Sequence, residues 1–104
     1  MPQLSQFKAE FFKALGNPLR IRVIDALRAG EIGVKELSAR LGVEQTTLSQ
    51  QLAILRNRNL IVGRKSGSKV FYSIRDPAIF RLLDVAREIF NHHLVNVRNL
   101  LSQL

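Results

Sequence analysis

Residues 34–55 read VKELSARLGVEQTTLSQQLAIL. Two short apolar stripes run through this stretch: Val34, Leu37 and Leu41, then Leu48, Leu52 and Leu55. Steps of three and four residues mark one inward face of an α-helix in each case. Gly42 follows the first stripe directly, where helices commonly end on a left-handed residue. A turn of about three residues then leads into the second stripe. Two short helices joined by a tight glycine-containing turn form a helix-turn-helix, and the remaining segments have to fold around that unit.

Upstream, Leu4, Phe7, Phe11 and Leu15 keep helical spacing over residues 3–15, with Phe12 and Ala14 beside them. Gly16-Asn17-Pro18 ends that helix, and Asn17 followed by Pro18 suits the start of a second. The second helix is expected to reach about Ala29, with Leu19, Val23, Ile24 and Leu27 inward; Gly30 and Gly33 then bracket a loop. After Asn59 the pattern changes. LIVGRK and KVFYSI are rich in β-branched and aromatic residues, and Ser66-Gly67-Ser68 between them predicts a β-hairpin. Asp76-Pro77 opens a last helix expected to run to about Ser102. The expected class is mainly α with a small β-hairpin (α+β), in the order α-α-α-α-β-β-α, which is a winged helix-turn-helix. One domain is expected over 1–104, with terminal helices at 1–15 and 76–104, the helix-turn-helix at 34–59 and the wing at 60–75.

Sixteen Lys and Arg against eight Asp and Glu give a formal net charge of +8. That excess points to a polyanionic partner, nucleic acid before an anionic membrane surface; the plainer reading is solvated surface charge. The chain has no cysteine, which excludes disulfides, thiolate metal sites and cysteine nucleophiles. No apolar run approaches the roughly 20 residues of a membrane span. MPQLSQFKAEFFK has no uninterrupted apolar core of a signal peptide, so a cytoplasmic protein with no membrane partner is expected.

On a helical wheel of about 100° per residue, Leu48, Leu52 and Leu55 gather on one side of the fourth helix. Thr46, Thr47 and Gln50 lie nearly opposite, Ser49 and Gln51 flank them, and Gln45 opens the helix. These six uncharged donors and acceptors are the candidate readers of base edges. Glutamine pairs with adenine through two hydrogen bonds, and the threonine methyl suits thymine. A merely solvated polar face has the same composition. Charge returns beside this face at Arg56 and Arg58, on the wing at Arg64, Lys65 and Lys69 around the small Ser66 and Ser68, and near the second helix at Arg20 and Arg22. These are candidate contacts to phosphates, with some wing residues within reach of a minor groove. Arg64 and Lys65 are expected to lead.

KALGNPLRIRVIDAL, VKELSARLGVEQTTLSQQLAILRNRNLIVGRKSG and KVFYSI together resemble the arsenic-repressor (ArsR) family of bacterial dimeric transcriptional regulators, over about residues 7–90. The shared phrases are a Leu-Gly-x-Pro-x-Arg opening, a Ser-x-x-Leu-x-x-Leu recognition helix and an Arg-rich wing ending in Tyr. The resemblance implies a sequence-specific regulator, most simply a repressor, that binds double-stranded DNA as a two-fold homodimer joined by the first and last helices. Successive major grooves lie about 34–36 Å apart, so the implied operator is a near-palindrome. Phe7, Phe11, Ile89, Phe90, Leu94, Val97 and Leu101 are the candidate interface, since the terminal helices are more apolar than a small core absorbs.

Many relatives sense metals, and the usual site on the last helix takes an Asp and a His near its start. This sequence departs from that pattern: Asp76 is followed by Pro77 and Ala78. Its two histidines, His92 and His93, are adjacent and point about 100° apart. A weaker constellation, Asp84, Glu88 and His92, recurs every fourth residue and offers nitrogen and oxygen ligands for Ni²⁺ or Zn²⁺ if paired across a dimer. The plainer reading is a polar stripe with Arg81 and Arg87 as ion-pair partners. Three other functions compete: a non-specific architectural DNA-binding protein, a protein-interaction module that kept the fold, and a metal-independent regulator controlled by a protein partner. No nucleophile–base arrangement or Gly-rich phosphate loop is legible, so no enzyme is expected.

Overall fold

The computed structural model describes residues 2–104; Met1, the first residue of the expected 1–15 arm, lies outside them. The order is α1 (Pro2–Leu15), α2 (Pro18–Ala26), a 3₁₀ turn (Leu27–Ala29), β1 (Ile32–Gly33), α3 (Val34–Leu41), α4 (Gln45–Asn57), β2 (Ile61–Ser66), β3 (Lys69–Ile74) and α5 (Ala78–Ser102). The Asn17 side chain accepts the Leu19 and Arg20 amides at 2.9 and 3.1 Å and so caps α2, with Pro18 in the first turn. The second helix tightens into its 3₁₀ turn over the last residues before Gly30.

α3 and α4 close in the same way. Gly42 sits at φ 68°, and the Gly42 and Val43 amides return to the Ala39 and Ser38 carbonyls. At the end of α4 the left-handed residue is Asn59, at φ 61°, with the Asn59 and Leu60 amides on the Arg56 and Leu55 carbonyls, each at 3.0 Å. This double closure satisfies carbonyls that the helix leaves free. It also drops Leu60 and Ile61 into the core as β2 begins.

The expected loop between Gly30 and Gly33 holds a third strand. Ile32 pairs with Tyr72 and Gly33 with Phe71, giving an antiparallel sheet in the order β1-β3-β2. Two residues are too few to show an alternating pattern, which is why the sequence does not announce β1. β2 and β3 pair from Ile61 with Ile74 to Ser66 with Lys69, around a two-residue turn at Gly67 and Ser68. Tyr72 turns inward beneath Gly63, where a Cβ would stand 3.1 Å from the ring.

The core gathers Val23 and Ile24 of α2, Leu37 of α3, Leu48, Leu52 and Leu55 of α4, Ile61 of β2 and Tyr72 of β3. Asp76 accepts the Ala78 amide at 2.9 Å as α5 begins. Ile79 is buried, and Phe80, Leu82 and Leu83 are half-buried. From Arg87 onward every residue of α5 is exposed. At about 1.5 Å per residue this 25-residue helix is about 37 Å long.

Two substitutions separate capping from packing. Asn17→Ala is expected to lower stability by about 1 kcal/mol. Leu52→Ala, at a position 1 % exposed, is expected to lower it by about 2–5 kcal/mol. Urea unfolding followed by far-ultraviolet circular dichroism measures both.

Candidate nucleic-acid interface

The burial of Leu48, Leu52 and Leu55 turns the opposite face of α4 outward. Gln45, Thr46, Thr47, Ser49 and Gln50 are all exposed there. The α3–α4 turn holds this orientation, because the Ser38 hydroxyl donates to the Val43 carbonyl just before α4. A groove of about 510 Å³ separates α4 from the wing. Gln45 and Ser49 line one side of it, Ser68 and Lys69 the other, and Lys35 of α3 also lines it. From sequence Lys35 is simply an outward residue of α3. Its place one position into the helix-turn-helix is the signal that could have marked it.

Gln51 differs from the other five candidate readers. It is half-buried, and its Oε1 accepts Arg20 Nη1 at 2.8 Å. The same guanidinium donates from Nε to the Ala14 carbonyl at 2.6 Å and from Nη2 to the Lys13 carbonyl at 3.2 Å. The sequence suggests both residues for DNA. In the structure they form a brace from the C-terminus of α1 to the middle of α4.

The other candidate arginines also have partners within the protomer. Arg22 donates to the Leu41 carbonyl at 2.8 Å, at the end of α3. Arg56 reaches the Tyr72 hydroxyl at 3.3 Å, and Arg58 pairs with Glu10 at 3.0 Å. Arg64, expected to lead on the wing, is bound by Glu31 through two hydrogen bonds of 3.0 and 2.6 Å. Those bonds hold the Glu31 carboxyl below its usual pKa range. Lys35, Lys65 and Lys69 are in no ion pair among the described residues. Lys65 and Lys69 are exposed beside Ser66 and Ser68. Planar, multi-donor guanidinium suits internal bridging, whereas a flexible ammonium stays hydrated until an anion arrives.

Arg28 is a bridging side chain that sequence reading misses. It bonds Asp25 at 3.0 Å and Asp84 at 3.0 Å, and lies over the Phe80 ring at 5.1 Å, tying the end of α2 to α5. Its one local signal is the three-residue spacing from Asp25. This pairing engages Asp84, the first member of the expected metal constellation. Among the described residues no three His, Asp or Glu side chains stand close enough to hold an ion, so the set read as Asp84, Glu88, His92 and His93 does not form a site within one protomer.

The apolar surface lies on the terminal helices. Phe7 is 71 % exposed; Ile89, Phe90, Leu94 and Leu101 are 62–66 % exposed and Val97 37 %. Phe11 is half-buried against the protomer's own core. Phe90, Leu94, Val97, Leu101 and Leu104 recur at alternating steps of four and three residues, the spacing of a helix–helix seam. Among the described residues no helix is long and apolar enough to cross a membrane.

Residues 17–62 match the family described as bacterial regulatory protein, arsR family. The HTH-type transcriptional regulator Rv0081 of Mycobacterium tuberculosis is 44% identical over 87 residues, which are 83% of this chain and 76% of that protein. Its crystal structure superposes with a TM-score of 0.82 at 40% identity, covering 89% of this chain and 94% of that one. The transcriptional repressor SmtB homolog of a Synechocystis strain is 39% identical over 88 residues, 85% of this chain and 64% of the relative. A solution structure from Mycobacterium bovis, described as a homodimeric winged helix-turn-helix DNA-binding domain, has a TM-score of 0.79 at 29% identity, with 89% and 86% coverage.

The brace predicts a stability effect where the wing predicts none. Arg20→Ala is expected to destabilise the protein by about 1–3 kcal/mol, since it leaves the α1 carbonyls and Gln51 without their charged donor. Lys65→Ala is expected to stay within about 0.5 kcal/mol of the parent. Paired urea titrations measure the contrast.

Proposed function

The chain belongs to the arsR family of bacterial regulatory proteins, and from that premise we propose that it is a sequence-specific transcriptional repressor that grips a near-palindromic operator as a homodimer. The observation that carries this reading is the outward face of α4. It is exposed, uncharged and dense in hydrogen-bonding groups, and it lies across a groove from the wing. Gln45, Thr46, Thr47, Ser49 and Gln50 address base edges in the major groove. Lys65 and Lys69, with Lys35 in the groove, meet phosphates. Phosphate contacts set position and base contacts set sequence, so the two kinds of group have separate work. An architectural DNA-binding protein has no use for an uncharged reading face, since sequence-independent affinity comes from Lys and Arg on phosphates.

The apolar stripe of α5 and the exposed Phe7 of α1 supply the seam between two copies, with segments 1–15 and 76–104 as the arms. The relative from Mycobacterium bovis, described as homodimeric, supports this assembly. A dimer places two copies of α4 in successive major grooves, about 34–36 Å apart.

Selecting bound fragments from genomic DNA identifies the operator, and gel-shift titration then tests the reading. Gln50→Ala is expected to lose about 1–3 kcal/mol on the selected site while affinity for random duplex barely changes; equal loss on both would remove Gln50 as a reader. Lys65→Ala is expected to weaken both DNAs alike and to flatten the salt dependence by about 0.9 units for each phosphate that is no longer neutralised. Light scattering is expected to give twice the protomer mass at micromolar concentration, and Leu94→Glu to lower it. A parent that stays monomeric would overturn the dimer.

A further inference from the structure

We propose that Glu31 is a positioning residue that withholds Arg64 from DNA and so limits how strongly the wing holds any sequence. The inference rests on the DNA-binding reading above. The sheet builds the arrangement. Phe71 of β3 is paired with Arg64 of β2 on one side and with Gly33 of β1 on the other. Directly paired residues present their side chains to the same face. Gly33 has no side chain, and a Cβ there would stand 3.3 Å from Phe71 Cε1. The Phe71 ring therefore bridges the sheet as a platform. The Arg64 guanidinium lies over that ring at 4.9 Å and continues past it to Glu31, two residues before Gly33.

There the contact is two-pronged, from Nε to one carboxylate oxygen at 3.0 Å and from Nη2 to the other at 2.6 Å. A phosphate offers the same feature, two anionic oxygens set to meet two parallel N–H groups. Glu31 thus occupies the donors that a DNA backbone would use. Moving Arg64 to a phosphate exchanges one anion for another and strands a carboxylate beside the DNA, so little is gained. The wing is left to Lys65 and Lys69, which are in no ion pair among the described residues. The effect is independent of sequence, because backbone contacts carry no base information.

Glu31→Gln keeps the shape of the side chain and removes its charge. Binding is measured by fluorescence anisotropy on the selected operator and on a short duplex of random sequence, from low to high salt. Glu31→Gln is expected to tighten both DNAs by a common factor, roughly tenfold per Arg64 released at 0.1 M salt, and to steepen the salt dependence by about 0.9 units per release. Arg64→Gln alone is expected to change the salt dependence little, and the Glu31→Gln/Arg64→Gln pair to return to the parental slope. An unchanged slope in Glu31→Gln overturns the inference. So does a steeper slope that persists in the double variant, which would reflect net charge alone. A slope already flattened in Arg64→Gln would show that Arg64 sits on phosphate in the parent, and overturns it too. A parent that binds neither DNA overturns this inference together with the function it rests on, whereas the three preceding outcomes leave that function standing.

Discussion

The orientation of α4 governs the rest of the molecule. Leu48, Leu52 and Leu55 are sealed against Ile24, Leu37 and Ile61, and a rotation that released one of them would leave a cavity of the kind that destabilises by several kcal/mol. The polar face is therefore held by the apolar one. An uncharged face makes weak contacts singly, and it reads DNA only if its groups are presented in fixed register. The left-handed residues at Gly42 and Asn59 serve the same end, since they stop α3 and α4 at defined points and send the chain on at set angles. The fold positions this polar surface by closing both helices that bear on it.

The basic residues named so far divide by chemistry. Arg20, Arg22, Arg28, Arg56, Arg58 and Arg64 all find acceptors inside the protomer. The bonds differ in consequence. Arg58 and Glu10 form an exposed, single-contact pair of a class worth about 0–1 kcal/mol and open to exchange with another anion, unlike the two-pronged contact of Arg64 with Glu31. Arg20 is half-buried with three acceptors on two helices, and it behaves as part of the framework. A net charge of +8 therefore says little about how many basic side chains have donors free for a polyanion. The fields of paired arginines still draw DNA toward the surface, but their hydrogen bonds are already made.

The helix-turn-helix, the wing and the reach of α5 were legible because each leaves a periodic or local mark: the leucine spacing of α4, the Ser66-Gly67-Ser68 turn, and Asp76 before Pro77. β1 was not legible, since two residues carry no period and its existence depends on Phe71 and Tyr72 far along the chain. The role of Gln51 was hidden for a similar reason. On a wheel it flanks Gln50 and looks like a reader, and only the fold brings Arg20 to it from 31 residues upstream. Glu31 and Arg64, 33 residues apart, meet through sheet register alone. Local patterns report what a residue can do, whereas long-range pairing decides which donors are already taken.

Arg20 also bears on how the two ends of the molecule communicate. Nε and Nη2 hold the last carbonyls of α1, while Nη1 holds Gln51 on the flank of the reading face. α1 carries the exposed Phe7 toward the proposed partner, and α4 carries the proposed base readers. A displacement of α1 against its partner must therefore break bonds to a guanidinium or draw α4 with it. Arg28 makes the matching link on the other side, from the end of α2 to Asp84 on α5. α1 is thus tied to α4 through Arg20 and Arg58, and α5 to the end of α2 through Arg28. Because those ties are polar and directional, they fix the angles at which the terminal helices meet the elements they hold.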